Sequence, residues 1–248
     1  MRTKAFIFII AIVWGVSTSF AQSVYPPFDE DSYVEQVKIK GQKPTIADFV
    51  NNLLKEPEDE LFGHLSEMWE RHLAGKPQKK NNTITVDIPH GYVKFESRIP
   101  EDNIVDTSEM CYWNCSDGKH KIVAFSNYLY VDGKFIQGQY TGVSFFLYEN
   151  ATRRLQTIAK EDIGAVDKFE PEWVLSGFDG ENWYKEVNGE KIIMTKEAYD
   201  EWHDNYFPIV MYHLPQTGKD IVLENWTPKK TVMKVLSWDG VRFNAPNY

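Results

Sequence analysis

Cysteine is scarce in this chain, and the motifs of the common enzyme classes are missing. Cys111 and Cys115 are the two cysteines among 248 residues. A G-x-S-x-G nucleophile elbow, a phosphate-binding P-loop, a dinucleotide fingerprint and an H-E-x-x-H zinc motif do not occur. These absences argue against the familiar hydrolases, nucleotide-binding enzymes and zinc proteases. We therefore expect neither a cofactor nor a bound metal.

Positive charge is also in deficit. The 27 Lys and Arg residues face 36 Asp and Glu residues, a formal net charge of −9. Without Arg2 and Lys4, which belong to the N-terminal leader described below, 25 basic residues remain and the net charge becomes −11. Nucleic acids and anionic membrane surfaces attract basic proteins. Neither is therefore expected as a partner.

Long apolar runs are confined to the N-terminus. Residues 1–21 combine Arg2 and Lys4 with the run AFIFIIAIVWGV and end in STSFA, the pattern of a secretory signal peptide. The run is shorter than the roughly 20 apolar residues of a membrane-spanning helix, and no later stretch reaches that length. We expect an exported protein, periplasmic or secreted, that begins near Gln22 and has no transmembrane segment.

The first part of the mature chain, residues 22–80, has the pattern of a lead-in followed by helices. Thr45 precedes an apolar stripe at helical spacing, and Asp48 stands three residues further on, as in a capping box. Pro57 suits the first turn of a second helix, and Gly75 suits its end. These signals predict two helices that present apolar faces to a core.

The pattern changes to a period of two over residues 81–248. Segments such as TITVDI, GYVKFES, HKIVAFSNYLYV and VSFFLY are separated by turns that contain Asp-Gly or Asn. These features are typical of antiparallel hairpins. The predicted fold class is therefore α+β, mainly antiparallel β, with an N-terminal helical segment packed on one or two antiparallel β assemblies.

The β region contains two pairs of similar segments, each offset by about sixty residues, which we call the internal echo. In each of two pairs of segments, an apolar strand leads through a turn into a second strand. The pairs are FFLYENATRRLQTI (145–158) with IVMYHLPQTGKDIVL (209–223), and VLSGFDGENW (174–183) with VLSWDGVRF (235–243). The echo predicts two similar β units, about 81–165 and 166–248. Chance is the alternative, because apolar strands with Asp-Gly turns resemble one another.

The two cysteines stand four residues apart in EMCYWNCSDGKHK, residues 109–121. In an extended strand their Cα atoms would be about 13 Å apart, beyond the reach of a disulfide. A bridge between Cys111 and Cys115 therefore requires a turn, and in an exported chain with an even cysteine count it is the expected arrangement. Two unpaired thiols on a straight strand are the alternative. A metal site or a nucleophilic thiol would need His90 or His120 as a partner, and the spacing fits no zinc pattern.

Two acidic, aromatic segments are the candidates for hydrolytic chemistry. FEPEW carries Glu170 and Glu172, and YDEWHDNYF carries Asp200 and His203. A glycosidase needs an acid and a base that flank the scissile bond of a sugar. Solvated carboxylates are the simpler interpretation, because spacing along the sequence does not fix the separation of two carboxylates in space.

Aromatic residues are abundant, at 15% of the chain with eight tryptophans. Trp113, Trp183, Trp226 and Trp238 lie beside predicted turns, where a ring can be exposed, and Tyr112 adjoins the first of them. Rings on turns can form platforms for sugars or peptides. These five residues are the candidate binding residues, and burial in the core is the alternative for each.

The signal ending SFAQ, the aromatic β-rich body and the segments YENATRR and SWDGVRF resemble secreted proteins of the gut Bacteroidetes. The resemblance implies a Gram-negative periplasm or cell surface, and it implies no activity. Many surface glycan-binding proteins of that group carry a lipid-anchoring cysteine after the signal, whereas this chain has Gln22 and Ser23 there. The departure favours a soluble periplasmic location.

The expected function is that of an exported, non-catalytic binding or interaction protein, with a glycan, a peptide or an envelope protein as its partner. The aromatic turns, the acidic body and the missing catalytic motifs favour this interpretation. Two alternatives stay open. One is a hydrolase that acts on glycan or cell-wall material through Glu170, Glu172, Asp200 and His203, and the other is a structural protein of envelope assembly.

Overall fold

The computed structural model describes residues 25–26, 34–55, 60–136, 142–165, 174–187, 190–200, 209–226 and 231–245. Antiparallel strands dominate these residues, which confirms the predicted α+β, mainly antiparallel fold class. Helices α1 (Ile46–Leu53) and α2 (Glu60–Leu73) lie in the N-terminal part of the described residues. The predicted leader lies outside the described ranges. Within them, no helix combines the length and the apolar character needed to cross a bilayer.

Eight strands form the large sheet. They are β1 (Val34–Gln36), β2 (Asn82–Asp87), β3 (Tyr92–Ile99), β4 (Ile104–Asn114), β5 (His120–Val131), β6 (Lys134–Ile136), β7 (Gly142–Glu149) and β8 (Arg154–Ile158). Their order is β1-β8-β7-β5-β4-β3-β2, and β6 pairs with the end of β5 that extends past β7. The segments predicted as strands from their alternation are therefore neighbours in one sheet.

The two helices cover one face of the large sheet. Asp48 Oδ2 accepts hydrogen bonds from Thr45 N and Thr45 Oγ1 at 2.8 and 2.9 Å, which confirms the predicted cap of α1. Gly75 follows the end of α2 with a φ of 63°, a left-handed value typical of the residue after a helix. The apolar core between the helices and the sheet includes Phe49, Val50, Leu65, Met68, Trp69, Val93, Phe95, Met110, Val123, Phe125 and Tyr148.

A four-stranded sheet covers the opposite face. Its strands, numbered by their place in the chain, are β12 (Ile209–His213), β13 (Ile221–Trp226), β14 (Thr231–Trp238) and β15 (Phe243–Asn244). Side chains alternate along β4, so Cys111 and Trp113 enter this second core while Met110 and Tyr112 face the helices. The second core includes Ile122, Phe145, Leu147, Tyr212, Ile221, Leu223, Leu236, Trp238 and Phe243.

A smaller sheet of three strands lies between these regions in sequence. It consists of β9 (Val174–Phe178), β10 (Trp183–Val187) and β11 (Glu190–Met194), in the order β11-β10-β9. Residues 196–200 are helical. Thr195 begins this turn, because its Oγ1 accepts a hydrogen bond from Ala198 N at 3.2 Å and its carbonyl accepts one from Tyr199 N at 2.9 Å.

All four segments of the internal echo form antiparallel hairpins. They are β7–β8 and β12–β13 for the first pair, and β9–β10 and β14–β15 for the second. Their surroundings differ, because β7–β8 belongs to the large sheet, β9–β10 to the three-stranded sheet and the others to the four-stranded sheet. The division into two similar units near residue 165 stays a prediction.

Candidate binding surface

The hairpin β9–β10, which we call the exposed hairpin, turns at Asp179 and Gly180. Asp179 Oδ1 accepts hydrogen bonds from the backbone N–H groups of Glu181 and Asn182 at 3.0 and 2.8 Å. Asp179 N donates in turn to Asn182 O at 3.1 Å. Gly180 has a φ of 102°, a value that glycine adopts readily. The turn is thus fixed by its own aspartate.

The hairpin β14–β15, which we call the covered hairpin, repeats this turn at Asp239 and Gly240. Asp239 Oδ1 accepts from the N–H groups of Val241 and Arg242 at 2.7 and 2.8 Å, and Asp239 N donates to Arg242 O at 3.2 Å. Gly240 has a φ of 101°. The second half of the sequence echo therefore corresponds to one turn geometry that occurs twice.

Each hairpin also carries two rings directly opposite each other, one residue before the aspartate and four residues after it. In the exposed hairpin Phe178 pairs with Trp183, and their ring centroids are 5.2 Å apart. In the covered hairpin Trp238 pairs with Phe243 at 4.8 Å. Cross-strand ring pairs of this kind stabilise a hairpin wherever it lies.

The rings of the covered hairpin lie inside the second core. Trp113 contacts both of them, with centroid distances of 6.3 Å to Trp238 and 5.0 Å to Phe243. Phe145 lies 6.2 Å from Phe243. The Trp113 indole N–H donates to Lys219 O at 2.8 Å, so the polar atom of this buried ring has a partner. Trp113 lies on the large sheet and Trp238 on the four-stranded sheet, and the two sheets pack against each other. Both rings are therefore buried, whereas we expected exposed rings at these turns.

The rings of the exposed hairpin have no such cover among the described residues. Phe178 is 52% exposed, and Trp183 is partly exposed. The buried ring of Tyr199 lies 4.6 Å from that of Trp183 and supports it. We call the rings of Phe178 and Trp183 the aromatic surface. Ile192 is exposed on the same face of the sheet, since it lies opposite Lys185, two residues from Trp183.

Charged side chains border the aromatic surface. Lys196 Nζ lies 5.5 Å from the centre of the Trp183 ring and pairs with Asp200. On the other face of the sheet, Lys191 lies 4.2 Å from the centre of the Tyr184 ring and pairs with Asp179. The Lys191 ammonium, helped by the N–H groups of the turn, holds the pKa of Asp179 well below its usual range. The Lys196–Asp200 pair therefore borders the aromatic surface, and the Lys191–Asp179 pair lies behind it on the opposite face.

The other two candidate binding residues have different positions. Tyr112 is half-buried on the helix side of the sheet, where its ring lies 5.6 Å from that of Phe49 and 4.5 Å from Lys121 Nζ. Trp226 ends β13 opposite Ile209, and its side chain lies outside the described residues. Of the four candidates whose side chains are described, Trp183 is the one that contributes to the aromatic surface.

The expected disulfide is not formed. Cys111 and Cys115 are free thiols, and both are buried. They are unpaired because β4 stays extended through Asn114 and the turn begins only after it. Burial raises the pKa of Cys115 to about 11 and that of Cys111 well above its ordinary value. Protonated thiols are poor nucleophiles and poor metal ligands. The structure thus has the alternative arrangement, two unpaired thiols on a straight strand.

The histidines considered as partners for these thiols have carboxylates beside them. His90 Nδ1 lies 2.9 Å from Asp87 Oδ2, and His120 Nδ1 lies 2.6 Å from Asp117 Oδ2. Each aspartate stands three residues before its histidine and also accepts from that histidine's backbone N–H. Across the described ranges, no group of three or more His, Cys, Asp and Glu side chains is placed to hold a metal ion.

The residues considered for hydrolysis are not brought together in the part of the chain that is described. Glu170, Glu172 and His203 lie outside the described residues. Asp200 is exposed and paired with Lys196. No geometry for a pair of catalytic carboxylates follows from these positions.

A buried carboxylate, Glu109, links the large sheet to the four-stranded sheet. Its Oε1 accepts from the Tyr92 hydroxyl at 2.7 Å, and its Oε2 accepts from Leu214 N at 2.9 Å. Burial raises the pKa of the Tyr92 and Tyr128 hydroxyls well above their usual range, and the negative charge of Glu109 adds to the effect. Both hydrogen bonds to Glu109 hold distant parts of the chain together, so we assign this residue to stability.

A second carboxylate, Glu224, continues this cluster toward the solvent. Its Oε2 lies 2.8 Å from His213 Nε2 and accepts from the Tyr130 hydroxyl at 3.4 Å. The His213 ring also lies 5.0 Å from that of Tyr128. The sequence offered no signal for this cluster, because the hydrogen bonds of Tyr130 with Glu224 and of Leu214 with Glu109 join residues about one hundred positions apart.

A scan with protein-family models and searches of curated proteins and of solved structures found no match. The likeness to secreted proteins of the gut Bacteroidetes stays a prediction. The side-chain chemistry of the described residues is therefore the basis for a functional proposal.

Proposed function

We propose that the protein is an exported, non-catalytic binding protein that contacts a glycan through the aromatic surface. The observation that carries the proposal is the exposure of Phe178, 52% of whose surface is open to solvent while its ring is held against Trp183. A ring that is both exposed and fixed in position loses little conformational entropy when a ligand packs on it.

The chemistry around the rings suits a sugar. One face of a pyranose consists of C–H groups and packs on an aromatic ring, while its hydroxyls need hydrogen-bonding partners at the border. Lys196 and Asp200 supply a donor and an acceptor beside Trp183. Asp179 follows Phe178 in the chain, but its carboxylate is already engaged by the N–H groups of the turn and by Lys191.

The same border argues for binding without hydrolysis. A glycosidase needs one carboxylic acid whose pKa is raised, so that it can donate a proton to the leaving group. Asp179 has the opposite property, since Lys191 and the turn hold its pKa low. Asp200 is exposed and forms an ion pair with Lys196. Asp179, whose pKa is lowered, is not suited to be the acid.

A protein partner is the second candidate, and exposed aliphatic side chains favour it. Ile192 lies on the face of the aromatic surface, and Ile193 is exposed on the opposite face of the same sheet. Aliphatic side chains contribute little to sugar binding but contribute to protein interfaces. In a complex with such a protein, the partner would cover both faces of the three-stranded sheet.

Export is the other half of the proposal and rests on residues 1–21. Cell fractionation followed by N-terminal mass spectrometry tests it. We expect the mature protein to begin near Gln22 in the periplasmic or secreted fraction. An intact Met1 on a cytoplasmic protein would contradict export without bearing on the aromatic surface.

A thermal-shift screen with oligosaccharides, cell-wall fragments and peptides tests the binding half. A ligand at 100 times its dissociation constant adds about 2.7 kcal/mol, a shift of several degrees for a chain of this size. Phe178→Ala should abolish the shift caused by a glycan. Leu73→Ala is the matched control, because Leu73 is 53% exposed and belongs to α2, outside the three-stranded sheet.

The outcomes separate the two candidates. A shift with one glycan class that Phe178→Ala removes and Leu73→Ala keeps supports glycan binding. A shift with peptides alone, sensitive to Ile192→Ser, favours the protein partner. A glycan shift that survives Phe178→Ala and Trp183→Ala would place the binding site elsewhere and overturn the proposal.

A further inference from the structure

We propose that Cys111 and Cys115 are a modification site of the unfolded chain alone: a disulfide oxidant joins them before folding, and the joined chain is unable to adopt the native fold. Oxidation and folding would then exclude each other. The two sulfurs stay reduced in the native protein because the strand that carries them keeps them apart.

The geometry of β4 is the first argument. The strand pairs with β5 residue by residue from Ile104 to Asn114, and Cys111 lies opposite Ala124. Residues four apart on an extended strand have Cα atoms about 13 Å apart, whereas a disulfide needs a separation below about 7 Å. A bridge therefore breaks the ladder between β4 and β5 at its hairpin end.

The turn after β4 is already closed without a bridge. Cys115 N donates to His120 O at 3.1 Å, and Gly118 N donates to Cys115 O at 3.1 Å. Drawing Cys115 back toward Cys111 breaks both hydrogen bonds. It also moves Trp113, which lies between the two cysteines and contacts both rings of the covered hairpin. The bridge thus disrupts the second core as well as the sheet.

Burial protects the thiols once the chain has folded. Cys111 is 2% exposed and Cys115 is 5% exposed. Thiol–disulfide exchange requires a thiolate that can reach the oxidant. The raised pKa of Cys115, about 11, keeps that thiol protonated at neutral pH, and the pKa of Cys111 is raised as well. Access and ionisation both return when the chain unfolds.

The covalent step is an ordinary exchange with a low-molecular-weight disulfide. One cysteine thiolate attacks a sulfur of the oxidant, forms a mixed disulfide and releases one thiol of the oxidant. The second cysteine thiolate then attacks the mixed disulfide, closes the Cys111–Cys115 bond and releases the other thiol. Two electrons pass to the oxidant, and the two protons lost by the cysteines end on its released thiols.

A bond that only the unfolded state tolerates shifts the folding equilibrium toward that state. The loop closed by the two cysteines is short, so its closure in a flexible chain has a small entropic cost. If the protein is exported, as proposed above, it meets oxidants before it has folded. It would then depend either on rapid folding or on a thiol–disulfide reductase or isomerase that reopens the bridge.

Oxidised glutathione is the probe for the test, applied to the folded protein and to the protein unfolded in urea. Alkylation and mass spectrometry count the free thiols. We expect the unfolded chain to form the intramolecular disulfide and the folded thiols to react at least about 100-fold more slowly. After urea is removed, the oxidised chain should fail to recover native tryptophan fluorescence, and dithiothreitol should restore it.

The double variant Cys111→Ala/Cys115→Ala controls for side effects. It has no thiol and should refold equally well with or without prior oxidation, whereas a single-cysteine variant would keep a glutathione adduct at a buried position. Should the double variant fail to fold, the recovery of the natural chain on reduction serves as the control. The proposal is overturned if the oxidised chain, with its disulfide intact, regains native fluorescence and stability. It is also overturned if folded and unfolded thiols react at the same rate.

Discussion

The exposed hairpin and the covered hairpin have the same Asp-Gly turn and the same ring spacing, but their rings meet different surroundings. Phe243 is 1% exposed and Phe178 is 52% exposed, although each contacts the tryptophan opposite it on the neighbouring strand. The difference comes from Trp113 and Phe145 on the large sheet, which pack against the covered hairpin. The same turn and ring spacing thus occur in a buried core in one hairpin and at the surface in the other.

The comparison shows which properties of a hairpin depend on its own residues and which depend on the elements that pack against it. The turn and the ring pair are local, since the aspartate side chain satisfies the turn and the rings contact each other across two strands. Burial is not local, because it requires a second layer supplied by distant residues. An aromatic hairpin that lacks this second layer keeps its apolar area available to a ligand.

Removing the cover of the covered hairpin should have the largest effect on stability. Trp113→Ala deletes a buried ring that contacts Trp238 and Phe243, and we expect a loss of about 3–5 kcal/mol in the free energy of unfolding. Urea denaturation measures it. Trp183→Ala in the exposed hairpin is the comparison and should destabilise by about 1–2 kcal/mol, because its ring is partly exposed although it contacts Phe178 and Tyr199. Equal losses for the two variants would contradict the comparison.

Weakening the link between the large sheet and the four-stranded sheet, which carries the covered hairpin, should have the next largest effect on stability. Glu109→Gln keeps the size of the side chain but removes the charge that accepts from Tyr92 and Leu214. We expect a loss of about 2 kcal/mol, the range for buried hydrogen bonds to a charged group. Glu101→Gln, at an exposed position, is the control and should change little. A neutral effect of Glu109→Gln would show that this link contributes nothing to stability.

Alkaline pH should weaken a second contact between the two sheets, that of Tyr130 with Glu224, and its effect should be smaller. Burial, with the negative charge of Glu224, raises the pKa of Tyr130 to about 12, whereas an unfolded tyrosine has a pKa of about 10. The folded state therefore holds this proton more tightly, so stability is intact below pH 10 and falls as the pH rises toward 12. Urea midpoints across this range measure the loss. Tyr130→Phe should reduce the loss, and an unchanged pH profile would contradict the assignment.

Truncating the exposed ring should have the smallest effect on stability and a large effect on binding. Phe178→Ala should lower the free energy of unfolding by less than about 1 kcal/mol, because half of the ring already contacts water. Phe243→Ala, its counterpart in the covered hairpin, should lower it by about 3–5 kcal/mol. Denaturation of both variants side by side makes the measurement. A large loss for Phe178→Ala would mean that its ring supports the fold.

Much of the fold was predictable because its signals are local. The Thr45–Asp48 cap, the end of α2 at Gly75 and the strands around Asp-Gly turns follow from side chains within a few residues of one another. The order of strands in the large sheet and the division into three sheets depend on contacts between distant segments. Periodicity carries no information about these contacts.

The site was predictable only in part, for the same reason. Trp183 and Trp113 both stand beside turns, and the sequence around them does not say which one a second layer will cover. Phe178 was not singled out, although its spacing from Asp179 repeats that of Trp238 from Asp239, and this repeat was the available signal. The disulfide was expected because the cysteine count suggested it, but the pairing of β4 with β5 holds the thiols apart.

Hydroxyl-radical footprinting of the protein, alone and with the glycan found by thermal shift, tests the central claim most directly. We expect Phe178 and Trp183 to be labelled in the free protein and protected by the glycan, while Trp113 and Phe243 stay unlabelled throughout. Labelling of Phe178 and Trp183 that the glycan leaves unchanged would contradict binding at the aromatic surface. Equal labelling of the two hairpins in the free protein would contradict the difference in cover on which the proposal rests.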